Sequence, residues 1–176
     1  ILLVVIGGPW FAPYDPEKMA PLMRYKPPSV QFWLGTDQYG RDILSRLLNG
    51  ARATVVMAVL ATALGTLVGA AIGTVSAFLG GRSDEAIMRT VDAIMSIPSL
   101  VLAILIVAII GPNLTNTIVA VTIVYLPRYV RLVRASALSE LSKDYVTAAK
   151  VSGVGPWRLM FVTVLPNCLP PLIVQA

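Results

Sequence analysis

ATVVMAVLATALGTLVGAAIGTVSAFL, residues 53–79, carries no charged side chain over its 27 positions. As an α-helix rising 1.5 Å per residue it would measure about 40 Å, more than the roughly 30 Å hydrocarbon core of a bilayer. Such a helix spans with tilt. Within it Ala61, Gly65, Gly69, Gly73 and Ala77 recur every four residues. That spacing lines small side chains along one helical stripe, against which another helix can approach closely. The stripe reads as a packing surface rather than a ligand groove.

Outward from this stretch the pattern repeats. Residues 93–127 form an uncharged run of 35 residues, broken in the middle by Gly111, Pro112 and Asn113. This reads as a helical hairpin. The first arm, Ile94 to Ile110, has Pro98 one turn inside, which predicts a kink. The second arm, Leu114 to Leu126, reaches span length by continuing through Pro127 to Val133, with Arg128 and Arg131 snorkelling to the interface. A further span is expected over 159–176, interrupted by Pro166, Pro170 and Pro171, and residues 1–12 read as the end of an earlier one. Three complete spans and two partial ones make an all-α, polytopic transmembrane bundle. Both chain ends fall inside apolar runs and Ile1 is no initiator methionine, so the chain reads as a fragment.

Composition agrees. Hydrophobic residues make up 56% and charged residues 13%, where a soluble domain has about 25% charged. The net charge of +5 sits in clusters between neutral stretches, without the dense basic and aromatic interleaving of a nucleic-acid surface. There is no His, and the single Cys168 lies in an apolar segment. Disulfide frameworks, zinc sites and Cys/His nucleophile pairs are thereby excluded within this chain.

Lys and Arg number six in residues 13–52, two in 80–92 and six in 128–158, whereas 111–117 has no charge. Counting spans puts 80–92 and 128–158 on one side, and their basic excess makes that side the cytoplasm. Residues 13–52 are then external. Prolines at 13, 16, 21, 27 and 28 predict an extended path there. From Arg41, the residues Ile43, Leu44, Leu47 and Leu48 share one helical face, which predicts a short amphipathic helix on the membrane before Gly50 turns into the span. Interfacial packing and contact with a substrate or receptor are both open for it.

The spans lack the ionisable groups with which ion-coupled carriers bind their driving ion. Asp92 marks a span boundary, and no G-x-x-x-x-G-K-[ST] phosphate loop occurs. Energy for active transport would therefore come from a partner subunit. Beyond Arg128, Arg131 and Arg134, spaced three apart as for membrane anchoring, residues 144–153 (DYVTAAKVSG) read as a short helix with Asp144 as N-cap and Gly153 as its stop. Gly155-Pro156 then turns the chain into a second helix at Trp157. Helix, turn and helix also allow a membrane-anchored helix-turn-helix regulator. Against it, Trp157-Arg158-Leu159-Met160-Phe161-Val162 is nearly all apolar, where a recognition helix needs polar groups for base edges. An intramembrane hydrolase would need paired catalytic groups that the spans do not show.

Ala148-Ala149, Gly153 four residues on, and Leu165-Pro166 twelve residues later resemble the E-A-A-x-x-x-G...I-x-L-P signature of permeases from binding-protein-dependent ABC importers. A second match, Leu34-Gly35-Thr36-Asp37-Gln38-Tyr39-Gly40-Arg41-Asp42 with Leu44-Ser45-Arg46 and Gly50-Ala51-Arg52, is similar to the C-type subunit of dipeptide, oligopeptide and nickel importers. Phe78 to Arg82, Asp92, Ile97-Pro98-Ser99 and Gly111-Pro112 also resemble that subgroup. The resemblance covers residues 9 to 176. It implies the type-1, MetI-like transmembrane fold, here a piece of a six-span subunit in a bacterial or archaeal plasma membrane. It further implies ATPase coupling through Asp144, Tyr145, Thr147, Ala148, Ala149, Gly153, Leu165 and Pro166, with the coupling helix in the cytoplasmic loop at about 134–158. Implied partners are a second permease, two cytoplasmic ATP-binding subunits and an external binding protein; ATP and Mg would be held by those partners, and this chain would be no enzyme. Thr147 stands where the signature has Glu, and Thr163 where it has Ile. A Glu three residues after an N-cap closes a capping box, which Thr147 does only weakly. Ser96, Thr122, Tyr125, Asn167 and Gln175 are the polar candidates for a translocation path, with helix-to-helix hydrogen bonding as the alternative use.

Overall fold

A computed structural model describes residues 7–8 and 10–175. The span end expected in residues 1–12 thus lies largely outside the described residues, as does Ala176. The helices are α1 (Ile43–Leu79), α2 (Gly81–Met95), α3 (Ser99–Ile110), α4 (Leu114–Leu141) and α5 (Asp144–Val151), followed by α6 (Pro156–Gln175). Among the described residues the only strand-like pairing is an isolated bridge, Thr36 to Asp42. The chain divides into two compact units, residues 1–59 and 60–176.

In the first unit, the 34–46 motif folds around Asp37. Its Oδ1 accepts from the backbone N–H of Tyr39 at 2.8 Å and of Arg41 at 2.9 Å, while Oδ2 accepts from Arg41 Nε at 2.9 Å and from Arg46. Burial opposes the charge on Asp37, but these donors outweigh it and hold the carboxyl well below the usual carboxylate range. Thr36 Oγ1 donates to Met23 O and accepts from Lys26 N at 2.9 Å. Gly40 has φ +76°, and a Cβ there would lie 1.8 Å from Ala20 O. Asp42 closes the motif by capping α1: its Oδ2 accepts from Ser45 N at 2.8 Å and Ser45 Oγ at 2.7 Å. The amphipathic helix expected here does not end at Gly50. Gly50 is helical and a Cβ on it would meet nothing within 4 Å, so α1 runs on unbroken into the apolar stretch; one helical glycine costs only about 1 kcal/mol, too little to force a turn.

The second unit is built on close helix contact. Added Cβ atoms on Gly65, Gly69 and Gly73 would lie 3.0 Å from the Tyr129 ring, 2.5 Å from Tyr129 Cβ and 2.6 Å from Val130 O. The stripe, with Ala61 and Ala77 both buried, therefore faces α4 around Tyr129, Val130 and Val133. At the adjoining helix ends Asp84 of α2 receives both Nε and Nη2 of Arg134 of α4, and Ser76 Oγ of α1 donates to it at 2.6 Å.

The kink expected at Pro98 is a full break. Helix α2 ends at Met95, α3 begins at Ser99, and the two are bent by 89°. Pro98 has ψ 128°, so the chain is extended at the position where proline favours a helix start rather than an interior turn. Gly111 at φ +97° and Asn113, whose side chain accepts from Asn116 N at 2.8 Å, form the turn into α4. By length and apolarity α1 and α6 suffice to cross a membrane, as does the bent pair α2–α3 taken together. Helix α4 continues through buried Pro127 to Leu141; with Arg128, Arg131 and Arg134 inside it, it is not among the helices apolar enough on their own.

Helix α6 is irregular. An α turn at Pro156–Arg158 passes into a π segment at Leu159–Val164, a 3-10 segment at Leu165–Cys168 and α again at Leu169–Gln175. Pro166, Pro170 and Pro171 supply the cause. Each lacks the N–H for its i−4 carbonyl and crowds that turn, so the ladder changes register instead of continuing.

Candidate functional site

The short helix α5 sits between α4 and α6, and its own sequence determines how it is held. Val146 is fully buried in a cluster with Ala77, Ala137, Leu159, Val164 and Cys168, against which Ala149 and Val154 also pack. One face of the helix is thus rooted in α1, α4 and α6. Asp144, Thr147, Ala148, Lys150 and Val151 are exposed, and Val151 is 85% exposed. Just beyond, Trp157 is 69% exposed, stacked on Phe161 with ring centroids 5.6 Å apart. Val151 and Trp157 thus leave apolar side chains uncovered on either side of the Gly153–Gly155 turn. Neither Val151 nor Trp157 is among the coupling residues expected from the sequence, although each is an apolar residue beside an otherwise Ala-rich or polar loop.

The N-terminus differs from expectation by one residue. Lys143 is the N-cap, without a side-chain cap bond, and Asp144 is the first helical residue. There its carboxylate favours the helix dipole rather than capping an amide. Thr147 then falls one position past the capping-box site, and it is exposed. At the other end Gly153 has φ +77°, Gly153 N donates to Lys150 O at 3.0 Å and Val154 N to Ala149 O at 3.1 Å. This is a Schellman stop, in which glycine serves because the left-handed conformation disfavours a Cβ. A Cβ on Gly153 would meet nothing within 4 Å.

Polar groups bind α5 to its neighbours. Tyr145 Oη donates to Glu140 Oε2 at 2.7 Å and accepts from Asn167 Nδ2 at 3.3 Å. Lys143 Nζ donates to Glu140 Oε1 at 2.6 Å. Burial, followed by the adjacent Glu140 carboxylate, pushes the Tyr145 hydroxyl up to about 12, so it stays protonated as a donor at neutral pH. Leu165 is half-buried against the cluster of Ala70, Tyr129, Val133 and Leu172, and Pro166 is exposed.

The five polar path candidates are dispersed. Ser96 Oγ donates to Ala93 O at 2.7 Å within its own turn, whereas Thr122 Oγ1 donates both to Ile118 O at 2.8 Å in its own turn and to Ala61 O of α1 at 3.5 Å, a helix-to-helix contact. Tyr125 is exposed with Arg128 5.4 Å from its ring centroid, and Gln175 is exposed near the end of α6. Asn167 belongs instead to the α5 contact. Among the described residues no hydrogen bond joins any two of the five.

Residues 65–176, the stretch that includes this loop and the helices rooting it, match the family of binding-protein-dependent transport system inner membrane components. The chain belongs to that family. Over its whole length, this inner-membrane component is 46% identical to the di/tripeptide transport system permease protein DppC of Pseudomonas aeruginosa (strain UCBPP-PA14), covering 60% of that protein. It is 44% identical to the probable D,D-dipeptide transport system permease protein DdpC of Escherichia coli K12, with 100% of this chain and 59% of that protein covered. With the dipeptide permease DppC of Haemophilus influenzae it shares 41% over 99% of this chain and 61% of the relative. The chain therefore spans about 60% of the length of these relatives. Membership places it among the inner-membrane components of binding-protein-dependent transport systems.

Proposed function

We propose that this inner-membrane component is a permease subunit of an ATP-driven importer of short peptides, and that α5 is the element through which a cytoplasmic ATPase moves it. The observation that carries the reading is the two-sided character of α5. Val146 is buried to 0% exposure in the helical core while Ala148, Val151 and the Gly153 turn are open. A helix anchored on one face and bare on the other can enter a partner's groove and convey its displacement. Thr147, Ala148 and Val151 form the docking face, with the exposed Trp157 following in the chain; Leu165 and Pro166 shape the adjoining helix.

The partners this requires are a second permease, two ATP-binding subunits that hold ATP and Mg, and an external binding protein. Residues 80–92 and 128–158 then face the cytoplasm of a bacterial or archaeal cell. Peptide is favoured over nickel as cargo because all three relatives above carry peptide in their names. Tyr125 and Gln175 are the polar residues best placed to line a path, since among the described residues neither polar end bonds within its own helix turn.

The test is Gly153→Leu in the full-length protein within its assembled complex. A Cβ there meets nothing within 4 Å, but φ +77° strains an L side chain, so Gly153→Leu is read against Gly153→Asn to separate backbone strain from collision with a docked partner. Peptide uptake per ATP hydrolysed should fall by about fivefold or more, the lower end of ordinary coupling energies, with membrane insertion unchanged. Gly153→Asn, which tolerates the left-handed turn, should retain more coupling. An unchanged ratio in Gly153→Leu would remove the assignment.

A further inference from the structure

The chain between α5 and α6 is short and glycine-rich, with Val154 as its residue packed against the core. It passes through Gly153, Val154 and Gly155, and an added Cβ on either glycine meets nothing within 4 Å. Displacement of α5 would bend this connector unless something else joined the two helices. Val146 provides an apolar contact, which is non-directional. The directional contact is made by Tyr145, in the first turn of α5.

Its partner lies at a distinctive point. Asn167 belongs to the 3-10 segment, one residue after Pro166, and its Nδ2 donates both to Tyr145 Oη at 3.3 Å and to Thr163 O at 2.8 Å in the π segment. The asparagine amide therefore sits on the junction where α6 changes hydrogen-bond register. Such junctions already carry displaced backbone bonds and are the easiest places for a helix to repack. On the other side Tyr145 is held by Glu140 of the last turn of α4, itself paired with Lys143.

We propose that Tyr145 is a positioning residue that ties α5 to the register junction of α6 through Asn167, so that movement of α5 repacks α6 there instead of being lost in the Gly153–Gly155 connector. The proposal rests on the coupling role of α5. Tyr145→Phe removes one oxygen and keeps the ring; Asn167→Leu keeps the side chain's size and loses the amide. In the complex co-purified with its partner subunits and reconstituted in vesicles, with alanyl-alanine as the probe, each should lower uptake per ATP hydrolysed by about fivefold. Complex yield and the ATPase rate should stay at wild-type values, which a merely structural role would not predict. The double variant Tyr145→Phe/Asn167→Leu should lose no more than either single one, because residues acting through one contact are not additive.

Wild-type ratios in both single variants, or additive losses in the double, would overturn the proposal. Gly153→Leu separates its failure from that of the coupling reading. If that variant uncouples while the Tyr145 and Asn167 variants do not, only the tie is wrong; if all three behave as wild type, the coupling role of α5 falls with it. Should Tyr145→Phe reduce assembly, Asn167→Leu alone decides.

Discussion

The 34–46 motif and the α1–α4 contact are both dense with glycine, and they use it for opposite purposes. In the motif, Gly40 adopts a positive φ and passes within 1.8 Å, at its missing Cβ, of Ala20 O, so that backbone and polar side chains can satisfy one another around Asp37. In α1, Gly65, Gly69 and Gly73 are ordinary helical residues whose missing side chains admit Tyr129 and Val130. The loop buries Thr36, Asp42 and Ser45 beside Phe32 and is held largely by hydrogen bonds. A helix pair in lipid gains little from apolar burial and is held by shape.

The largest effect is expected from Gly69→Leu, where even a Cβ would lie 2.5 Å from Tyr129 Cβ and 3.2 Å from Val130 N. The helices must separate, at a cost of about 1–3 kcal/mol or more, and the yield of assembled complex in mild detergent should collapse. Normal yield would mean that α1 and α4 are not held by shape. Gly40→Ala comes next, since both collision with Ala20 O and the left-handed backbone oppose it. Hydrogen exchange should show faster exchange over residues 20–42, with the helical unit unchanged; loss of protection in both would break the contrast between a local loop and a separate helical unit.

Asp84→Asn is expected to be milder. It weakens the two-nitrogen contact from Arg134, whose side chain is 28% exposed against 16% for Asp84. Discounted for that exposure, a loss of about 1–2 kcal/mol in thermal stability follows; no change would show that the junction of α1, α2 and α4 is held by packing alone. The smallest effect is acidification of the motif. The Asp37 carboxyl is held below its unfolded value, so its contribution is present in full above about pH 4 and is lost as pH falls through the lowered folded value. Amide protection over residues 34–46 should decline below about pH 4 in the wild type, whereas Asp37→Asn should lack that dependence.

How much was legible varies with the range of the cause. The breaks at Gly111 and Gly153 could be read because a glycine and its neighbours form the turn by themselves. Pro98 announced an interruption, yet not that α2 and α3 would stand at 89°. The start of α5 was displaced by one residue because Asp144 satisfies both roles in sequence, as N-cap and as first-turn acid. That Val151 and Trp157 stand open could not be read from the sequence, since exposure is a property of the surroundings.

The sequence by itself determined that residues 53–79 and 93–127 require an apolar medium, that prolines and glycines divide the helices, and that small residues recur four apart in α1. These follow from side-chain chemistry within a few positions of the chain. Only the tertiary structure decided that the stripe meets Tyr129 and Val130, that α1 runs on through Gly50, that Asp84 joins Arg134 fifty positions away, and that Tyr145 reaches Asn167. Each of those depends on which distant surfaces pack, and packing is settled by complementary shape and hydrogen bonding across the folded chain rather than by any local run of residues.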